Sequence, residues 1–461
     1  MKKLLQLVRE SLADTERDYT RMGVRRAIVL LSIPMVLELS MESLFALVDV
    51  FFVGRISTAA VAAVGLTESV LIVVYSIAWG LSMGVTAVVS RRTGEKDKEG
   101  AAISAMQGLW VALAVSLVLG IPLFVFADDI LRAMGASDAV LDAGIGYARI
   151  LFGGNVVIMG LFVINAVFRG AGDAAMAMRS LVVANAINIV LDPLLIFGIG
   201  PFPELGLTGA AVATTIGRGL GVAYQLRHLF GKGSGMRLLR RHLRFAADIA
   251  LNIVKVSIGG IGQFLIASAS WLFMVRIVST FGDPAVAGYT FAMRVIVFSL
   301  LPSWGMANAA ATLVGQNLGA NEPGRAERSA WLCGHYNMAF MVGVAILFWA
   351  FATWIMDLFT TDPVVAGYGV DALRIVCLGY FFYGYGMVLA QAFNGAGDTL
   401  TPTWMNVVCF WMLEIPLGWF LATQLGWGPN GVFAAIAISE SALALLSGVL
   451  FRRGTWKLVK V

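Results

Sequence analysis

Charged residues are scarce in this chain: 13% of its 461 residues are Asp, Glu, Lys or Arg, whereas 59% are hydrophobic. Soluble domains contain about 25% charged residues, which cover the surface that faces water. A soluble protein with this composition could not cover its own core. Runs with few or no charges, such as 101–127, 181–199 and 332–356, exceed the roughly 20 residues that cross a bilayer. The sequence therefore predicts a polytopic membrane protein.

Cysteine and histidine are also rare, with three of each. The cysteines, Cys333, Cys377 and Cys409, fall in apolar runs without metal-site spacing, so we expect them to be packing residues. The histidines do not cluster, and the sequence has no Ser-containing elbow, His pair or Asp-rich repeat. We therefore expect no enzymatic activity and no cofactor, and an intramembrane enzyme is only a remote alternative.

The basic residues follow the predicted membrane topology. The hydropathy pattern indicates twelve spans, approximately 27–53, 61–90, 101–127, 141–168, 180–199, 209–226, 250–278, 285–317, 331–359, 368–393, 403–424 and 431–451. Of the 33 Lys and Arg residues, 25 lie on the side of both termini and two on the opposite side. The positive-inside rule then places both termini in the cytoplasm. The net charge of +5 therefore reflects topology, and we expect no nucleic-acid partner. The segment 1–26 has no apolar stretch typical of a cleavable signal.

An internal repeat relates the two halves of the chain. The hexapeptide "FRGAGD" (168–173) recurs as "FNGAGD" (393–398), at an offset of 225 in the numbering, and "AVAAVG" (60–65) is matched by "AVAGYT" (285–290) at the same offset. Each half then holds six spans, an even number, so both halves enter the membrane in the same orientation. This predicts a parallel repeat with a pseudo-two-fold axis along the membrane normal.

The predicted organisation is therefore an all-α membrane protein with two six-helix bundles. A cytoplasmic tail, an N-lobe, a cytoplasmic linker, a C-lobe and a second cytoplasmic tail are expected at 1–26, 27–226, 227–249, 250–451 and 452–461. Two bundles with a cleft between them suit a transporter that works by alternating access. A passive channel is a weaker alternative, because the two repeats differ in charge.

Acidic residues in the first span carry the first functional signal. Glu38, Glu42 and Asp49 lie within about 40° of one another on a helix, and Pro34 before them is expected to bend the helix. A charged carboxylate in a bilayer is costly and commonly marks a functional site. Glu38 or Glu42 could instead reach an interface or pair locally.

The fifth span carries the second signal in "NAINIVLDPLLIF" (185–197). Asn185, Asn188 and Asp192 share one helix face, and a carboxylate with a carboxamide forms an oxygen site suited to a small hard cation. Asn185 could equally be a helix–helix contact. Thr214 in the sixth span could bond to its own helix.

The second half has lost most of these acids. Gln263 and Ser270 stand where the first half has Glu42 and Asp49, and Glu414 stands where it has Asp192. Aromatic residues and Met are enriched instead, including Trp271, Met274 and Tyr383. They could face lipid, fill the core, or line an adaptable apolar cleft.

Arg294 is the basic residue deepest in a predicted span. It could pair with an acid, extend along the helix towards the interface, or bind an anionic head group.

The two-half organisation, together with "VDVFFVGR", "FRGAGD" and "NIVLDPLLIFG", resembles the multidrug and toxic compound extrusion (MATE) family. The similarity spans about 25–450 and is greatest to its DinF-like prokaryotic branch. The resemblance implies two lobes in a V shape, in the cytoplasmic membrane of a prokaryote, that export organic drugs or toxins against H+ or Na+. We also expect a monomer.

The resemblance also implies roles for individual residues. Asp49 and Asp192 match the coupling acids of the N-lobe, Asn188 and Thr214 match further ligands of that site, and Asn165 matches its polar lining. The candidate substrate cavity comprises Glu42, Asn165, Gln263, Trp271, Met274 and Tyr383. A related branch uses acids in the seventh and tenth spans, near Gln263 and Tyr383 here, so coupling through the C-lobe is not expected.

We hypothesise that Asp49 and Asp192 face each other and that a proton or Na+ relieves their repulsion. Asp49, Asp192, Asn188 and Thr214 would then hold the ion. The principal alternative is a flippase or exporter of lipid-linked oligosaccharide with the same architecture. Such a protein would favour several basic residues in the cleft to hold pyrophosphate.

Overall fold

The computed structural model describes the chain apart from residues 1, 14–16, 54 and 232–235 and the side chains of 2–5 and 46–50. All regular structure in these described residues is helical. The helices at the twelve predicted spans are Val24–Val53, Thr58–Gly94, Lys98–Val125, Asp138–Gly153 with Asn155–Ala171, Ala174–Ile196, Leu207–Phe230, Ala247–Ser279, Asp283–Gly319, Pro323–Asp357, Pro363–Cys377 with Tyr380–Ala396, Leu400–Gln424 and Pro429–Arg453. The shorter helices are Lys2–Ser11, Ala127–Ala133, Arg240–Leu243 and Thr455–Leu458.

Most of these helices are suited to a membrane. Within the described residues, nine single helices are long and apolar enough to cross a bilayer, or eleven spans if each bent pair counts as one. The sixth span, Leu207–Phe230, is less apolar, because its 24 residues include Arg218 and Arg227. It packs along the fifth span. The all-α membrane fold with two lobes that the sequence predicts is confirmed.

The two hexapeptides of the repeat end the fourth and tenth spans in the same way. Gly172 and Gly397 cap these helices with φ angles of 89° and 90°, a left-handed conformation that favours glycine. Asp173 and Asp398 then each accept a hydrogen bond from the backbone N–H three residues later, both at 3.2 Å. In each half, the repeated hexapeptide therefore ends one helix and begins the next.

The fourth and tenth spans are also both broken near their middle. The bends are 43° and 60°, and the breaks lie at Gly154 and at Gly379, which are repeat mates. The two glycines have φ angles of −78° and −79°, so the bends do not depend on a left-handed backbone conformation. The repeat thus extends to the irregular features of the two halves.

The second and eighth spans meet on the pseudo-two-fold axis. Both are 37 residues long. The rings of Trp79 and Trp304, which are repeat mates, lie 5.6 Å apart, and Ser90 contacts its own repeat mate Gly315. A residue that contacts its mate must lie next to the axis that relates the repeats. The offset of 225 found in the sequence therefore also relates equivalent positions of the two halves in the structure.

Close contacts between the two halves occur in symmetric pairs. Gly80 contacts the backbone of Ile261, and its repeat mate Gly305 contacts the backbone of Val36. A Cβ on Gly305 would lie 2.7 Å from the Cα of Val36, too close for any real contact. Only glycine allows the helices to approach so closely at these positions.

These contacts close one end of the cleft. The second span is buried without interruption from Gly80 to Ser90, and the eighth span is buried from Ala309 to Leu318. We call this end, where the two chain termini and most of the Lys and Arg residues lie, the basic end. Towards the opposite end both spans have exposed side chains again, so the close packing of the halves lies at the basic end.

The first and seventh spans each pack on both halves of the molecule. Near the basic end, Ile28 and Leu31 of the first span share a core cluster with Ala310 of the eighth span. By symmetry, Ile253 of the seventh span lies in the core of the first half, whereas Met274, further along that span, lies in the core of the second half. Any movement of the two halves must therefore act on these two spans.

The described part of the linker is anchored to the third span. Glu99 forms an ion pair with Arg241 at 2.6 Å, and its carboxylate lies 2.9 Å from the Nε2 of His242. The side-chain amide of Gln107 donates to the backbone oxygen of Arg244 at 3.0 Å. The connection between the halves thus runs along the basic end.

We predict that Gly305→Ala destabilises the protein by roughly 1–3 kcal/mol, because the added methyl group overpacks a helix contact. The matched control is Gly343→Ala, since nothing lies within 4 Å of a Cβ at Gly343. Thermal unfolding of the purified variants measures both effects. Equal melting temperatures for the two variants would contradict the close-contact assignment.

Candidate functional site

Asp192, Asn188 and Thr214 form a buried polar cluster between the fifth and sixth spans. The Nδ2 of Asn188 donates to the Oδ1 of Asp192 at 3.1 Å and to the Oγ1 of Thr214 at 3.3 Å. Asp192 and Asn188 are at most 1% exposed, and Thr214 is 9% exposed. Three of the four residues that we predicted to hold a cation are thus brought together by the fold.

The orientation of Asn188 turns its amide nitrogen towards Asp192 and Thr214. With both hydrogen bonds made by Nδ2, the buried Oδ1 has no hydrogen-bond partner among the described residues. A buried carbonyl oxygen without a donor is costly. A carboxylate and a hydroxyl are oxygen ligands that hard cations prefer, and rotation of the Asn188 amide would add its carbonyl oxygen to them.

The fourth residue, Asp49, lies outside the described side chains. Its span continues as a helix past this position, to Val53, and Pro34 lies within the helix. The nearest described connection between the first and fifth spans is a hydrogen bond from Asn185 to the backbone oxygen of Met41 at 2.8 Å. Asn185 therefore joins two helices, as one of its two interpretations expected.

Two ion pairs attach the first span to the fourth and sixth spans. Glu38 pairs with Arg169 at 2.6 Å, with both side chains at most 5% exposed. Glu42 pairs with Arg218 at 2.8 Å, and the guanidinium of Arg218 also lies 4.7 Å from the centre of the Phe45 ring. The structure thus places Glu42, which we predicted to line the substrate cavity, in a pair beside a small cavity.

Sequence analysis missed both arginines as site residues. The predicted fourth span ends at 168, which puts Arg169 in a loop, yet the residue lies in the last turn of that helix. The signal available was the presence of Arg218 within an apolar span opposite two unmatched glutamates. Burying a charge without a partner is prohibitive, so an arginine for each glutamate could have been expected.

Asn165 belongs to a separate network that joins the fourth, fifth and sixth spans. Its Oδ1 accepts from the hydroxyl of Ser180 at 3.3 Å and from the amide of Gln225. Gln225 also donates to Ser180 at 2.7 Å. Asn165 lines the same small cavity as Glu38, Glu42 and Arg169, so it connects the bundle interior with the ion pairs.

Gln263 is held by the second half rather than exposed in a cleft. It exchanges two hydrogen bonds with the side chain of Asn394, at 2.9 and 3.1 Å, and donates to the backbone oxygen of Thr399 at 2.9 Å. Asn394 is the repeat mate of Arg169. By the same offset Gln263 is the mate of Glu38, so the prediction that it stands at the position of Glu42 was wrong. A neutral amide pair thus stands in the second half where the first half has the charged pair of Glu38 and Arg169.

The other predicted cavity residues lie in different surroundings. Trp271 is 41% exposed, whereas Met274 is fully buried and packs against Gly418. The hydroxyl of Tyr383 donates to Glu440 at 2.7 Å. These three side chains are therefore not gathered into one cavity in this conformation.

Arg294 lies near an acid of the other half. Its guanidinium is close enough to the carboxylate of Glu68 in the second span for electrostatic attraction. Both residues are exposed, on the side of the tryptophan pair away from the basic end. Arg294 forms no ion pair within 4.0 Å among the described residues, so its contact with Glu68 is limited to attraction over a longer distance.

Known proteins resemble this chain in sequence and in fold. The family model described as MatE matches residues 34–194 and 261–420. The curated relatives include the "Probable multidrug resistance protein YpnP" of Bacillus subtilis, which is 25% identical over 450 residues and covers 96% of this chain and 98% of its own. Another is the "Probable multidrug resistance protein NorM" of Thermotoga maritima, 25% identical over 438 residues, with 94% of this chain and 93% of its own covered. A solved structure described as the outward-facing conformation of a multidrug resistance MATE family transporter has a TM-score of 0.89 and 27% identity, covering 94% of this chain and 96% of its own.

We predict that the buried pair of Glu38 and Arg169 behaves as a unit. Glu38→Gln or Arg169→Gln alone should cost about 3–5 kcal/mol, because each leaves an uncompensated buried charge. The double variant should cost much less than the sum of the two.

Unfolding of the four purified proteins gives this coupling energy. The control is Asp138→Asn, which breaks an exposed pair with Arg132 and should cost less than about 1 kcal/mol. Additive effects of the two buried substitutions would show that the pair is not coupled.

Proposed function

The chain belongs to the MatE family, and we propose that it is a secondary active antiporter. Two of its relatives are described as probable multidrug resistance proteins. This chain would export organic compounds, often cationic and amphipathic, in exchange for H+ or Na+. The proposal includes alternating access between two lobes and a monomeric protein in the cytoplasmic membrane of a prokaryote.

The observation that carries this proposal is the cluster of Asp192, Asn188 and Thr214. It contains a fully buried carboxylate and an amide oxygen without a donor, inside a helical bundle in the membrane. Charged groups in such a place are costly and are kept where ions or protons pass. Na+ would be held by the three oxygen ligands, and H+ would be held by the carboxylate.

Asp49 would complete this site from the first span. Two carboxylates near each other repel, so uptake of one positive charge would draw the first and fifth spans together. The first span packs on both halves of the molecule, and a change in its bend near Pro34 would therefore act on the whole cleft. In this way ion binding within one bundle would favour release of the bound compound.

The direction of the cycle follows from the charge distribution. We assign the basic end to the cytoplasm by the positive-inside rule, so a structure closed at that end is open to the outside. The similarity to an outward-facing transporter supports this assignment. One charge that moves inward across 100 mV supplies roughly 2.3 kcal/mol, which could sustain about 50-fold accumulation of an uncharged substrate.

A flippase for lipid-linked oligosaccharide is less well supported. Its pyrophosphate would need free positive charge in the cleft. Arg169 and Arg218 are each paired with a glutamate, and Arg294 lies near Glu68. The described basic side chains inside the bundles are thus largely neutralised by acids.

We predict that Asp192→Asn abolishes gradient-driven efflux while the fold is retained, because the amide cannot bind a proton and is a weaker ligand for Na+. Efflux from proteoliposomes with an imposed pH gradient or Na+ gradient, each alone, measures the effect and identifies the ion. The control is Asp357→Asn, an exposed acid at the end of the ninth span, which should transport normally. Full coupled transport by Asp192→Asn would remove the basis of the proposal.

A further inference from the structure

An apolar groove lies between the ninth span and the break in the tenth span. Its volume is about 490 Å³, and Ile346, Trp349, Leu378 and Phe381 are among the residues that line it. Ile346 and Leu378 are 64% and 71% exposed, so the groove is open on the outer face of the second half. Its volume falls within the range of about 300–1,000 Å³ that is typical of small-molecule sites. We call this space the break groove.

An arginine lies at one end of the break groove. Arg374 belongs to the last helical turn before the break. Its guanidinium lies 5.4 Å from the centre of the Trp349 ring, and its Nε donates to the backbone oxygen of Trp349 at 3.4 Å. Asp371, on the same helix, accepts a hydrogen bond from Asn430 at 3.2 Å, and Arg374 forms no ion pair among the described residues. The groove thus combines an apolar wall with a positive charge that no carboxylate neutralises through an ion pair.

Arg374 and Trp349 lie at the level where the hydrocarbon of a bilayer ends. The ninth span has 35 residues and is therefore about 52 Å long. A hydrocarbon core of about 30 Å, centred on this span, would leave about 11 Å beyond the core at each end. Trp349 lies eight residues before Asp357, the last residue of the span, a distance of about 12 Å. The phosphates of the leaflet opposite the basic end would therefore lie near Arg374.

The break groove extends from this level into the hydrocarbon region. Val342 and Ile346 line it on the ninth span, one and two turns deeper than Trp349, and Leu378 and Phe381 line it on the tenth span beyond Arg374. The charged end of the groove therefore lies at the edge of the hydrocarbon, and the apolar part lies within it. A phospholipid has the same order of groups along its length.

The first half packs the equivalent position with its own side chain. By the offset of 225, Phe124 is the mate of Trp349 and Gly153 is the mate of Leu378. The Phe124 ring contacts Gly153, where a Cβ would lie 3.0 Å from the ring. In the second half Leu378 has a side chain at this position, the Trp349 ring lies at Arg374, and the bend of the span is 60° rather than 43°. The break in the second half is therefore not packed by the ring that packs the break in the first.

We propose that the break groove is a phospholipid site, in which one acyl chain lies along the groove and the phosphate pairs with Arg374. The apolar wall suits the acyl chain, and the planar guanidinium suits the phosphate, which it can bind through two hydrogen bonds. The occupant is a lipid of the leaflet opposite the basic end. This site lies on the outer face of the second half, and the inference does not depend on the antiport proposal.

The bound acyl chain would take the structural place that Phe124 has in the first half. It would contact Leu378 and Phe381 at the break and Ile346 on the facing helix. A ligand that binds one conformation in preference to another stabilises the conformation it binds. The phospholipid would therefore favour the bent form of the tenth span.

The test is photolabelling of the full-length protein in dodecyl maltoside micelles, which contain no phosphate. The probe is phosphatidylglycerol with a diazirine in one acyl chain, and mass spectrometry locates the labelled peptides. Two unlabelled competitors are compared, phosphatidylglycerol and the diacylglycerol that has the same acyl chains but no phosphate. The variants are Arg374→Leu and the charge-retaining Arg374→Lys. The matched control is Arg149→Leu, since Arg149 is the repeat mate of Arg374.

We expect label in the wild type at 342–350 and 377–381, and little at the equivalent segment 152–156. Diacylglycerol should compete about ten-fold less well than phosphatidylglycerol, because it lacks the charge-assisted hydrogen bonds to Arg374. Arg374→Leu should remove this difference, Arg374→Lys should keep most of it, and Arg149→Leu should behave as the wild type does.

Two results with the wild type alone would overturn the inference. Equal competition by the two lipids would show that no phosphate is recognised. Label at 152–156 equal to that at 377–381 would show that the probe reports general contact with lipid. Neither result bears on whether a gradient drives efflux, so this inference and the antiport proposal stand or fail separately.

Discussion

The contact between the second and eighth spans at the pseudo-two-fold axis is the constraint on which the rest of the structure depends. It requires close approach at Gly94, Gly315 and Gly319, where a Cβ would clash with the facing span. Because the contact is confined to the basic end, the other end is left open, and the aromatic residues at the boundary become accessible. The closed basic end and the cleft that ends there thus both follow from one set of close contacts between helices.

The two halves have the same backbone fold but differ in the charged side chains that they bury. In the first half, Glu38 and Glu42 are compensated by Arg169 and Arg218, so their presence in the membrane costs far less than isolated charges would. Asp192 instead lies in a buried cluster with the amide of Asn188 and the hydroxyl of Thr214. The ion pairs therefore hold the first span against the fourth and sixth spans.

Much of the fold could be predicted from the sequence, because length and hydropathy determine which segments can span a bilayer. The offset of the repeat was visible in short motifs, and in the structure the same offset relates Trp79 to Trp304, which contact each other. The cluster of Asn188 and Asp192 could be predicted for a similar reason, since helical spacing alone places both residues on one face of the helix.

Contacts between helices that are distant in sequence could not be predicted in this way. Nothing in "FRGAGD" indicates that its arginine reaches Glu38, 131 residues earlier, since that pairing depends on where the bend of the fourth span directs its last turn. The burial of Met274 and the hydrogen bonds of Gln263 likewise depend on the packing of the second half. Side-chain chemistry thus indicated which residues were unusual, and the helix arrangement decided their partners.

The most direct test of the account is the movement of the two ends relative to each other. Spin labels at Thr58→Cys and Asp283→Cys report the open end, and labels at Lys98→Cys and Gly324→Cys report the basic end, in a background without the three native cysteines. The distances between the labels, measured by pulsed electron–electron double resonance, should change in opposite directions at the two ends when the concentration of H+ or Na+ is varied. Gly315→Val should shift the population towards a state in which the basic end is open. Distances that stay fixed, or that lengthen together at both ends, would contradict a rocking motion about the glycine contacts.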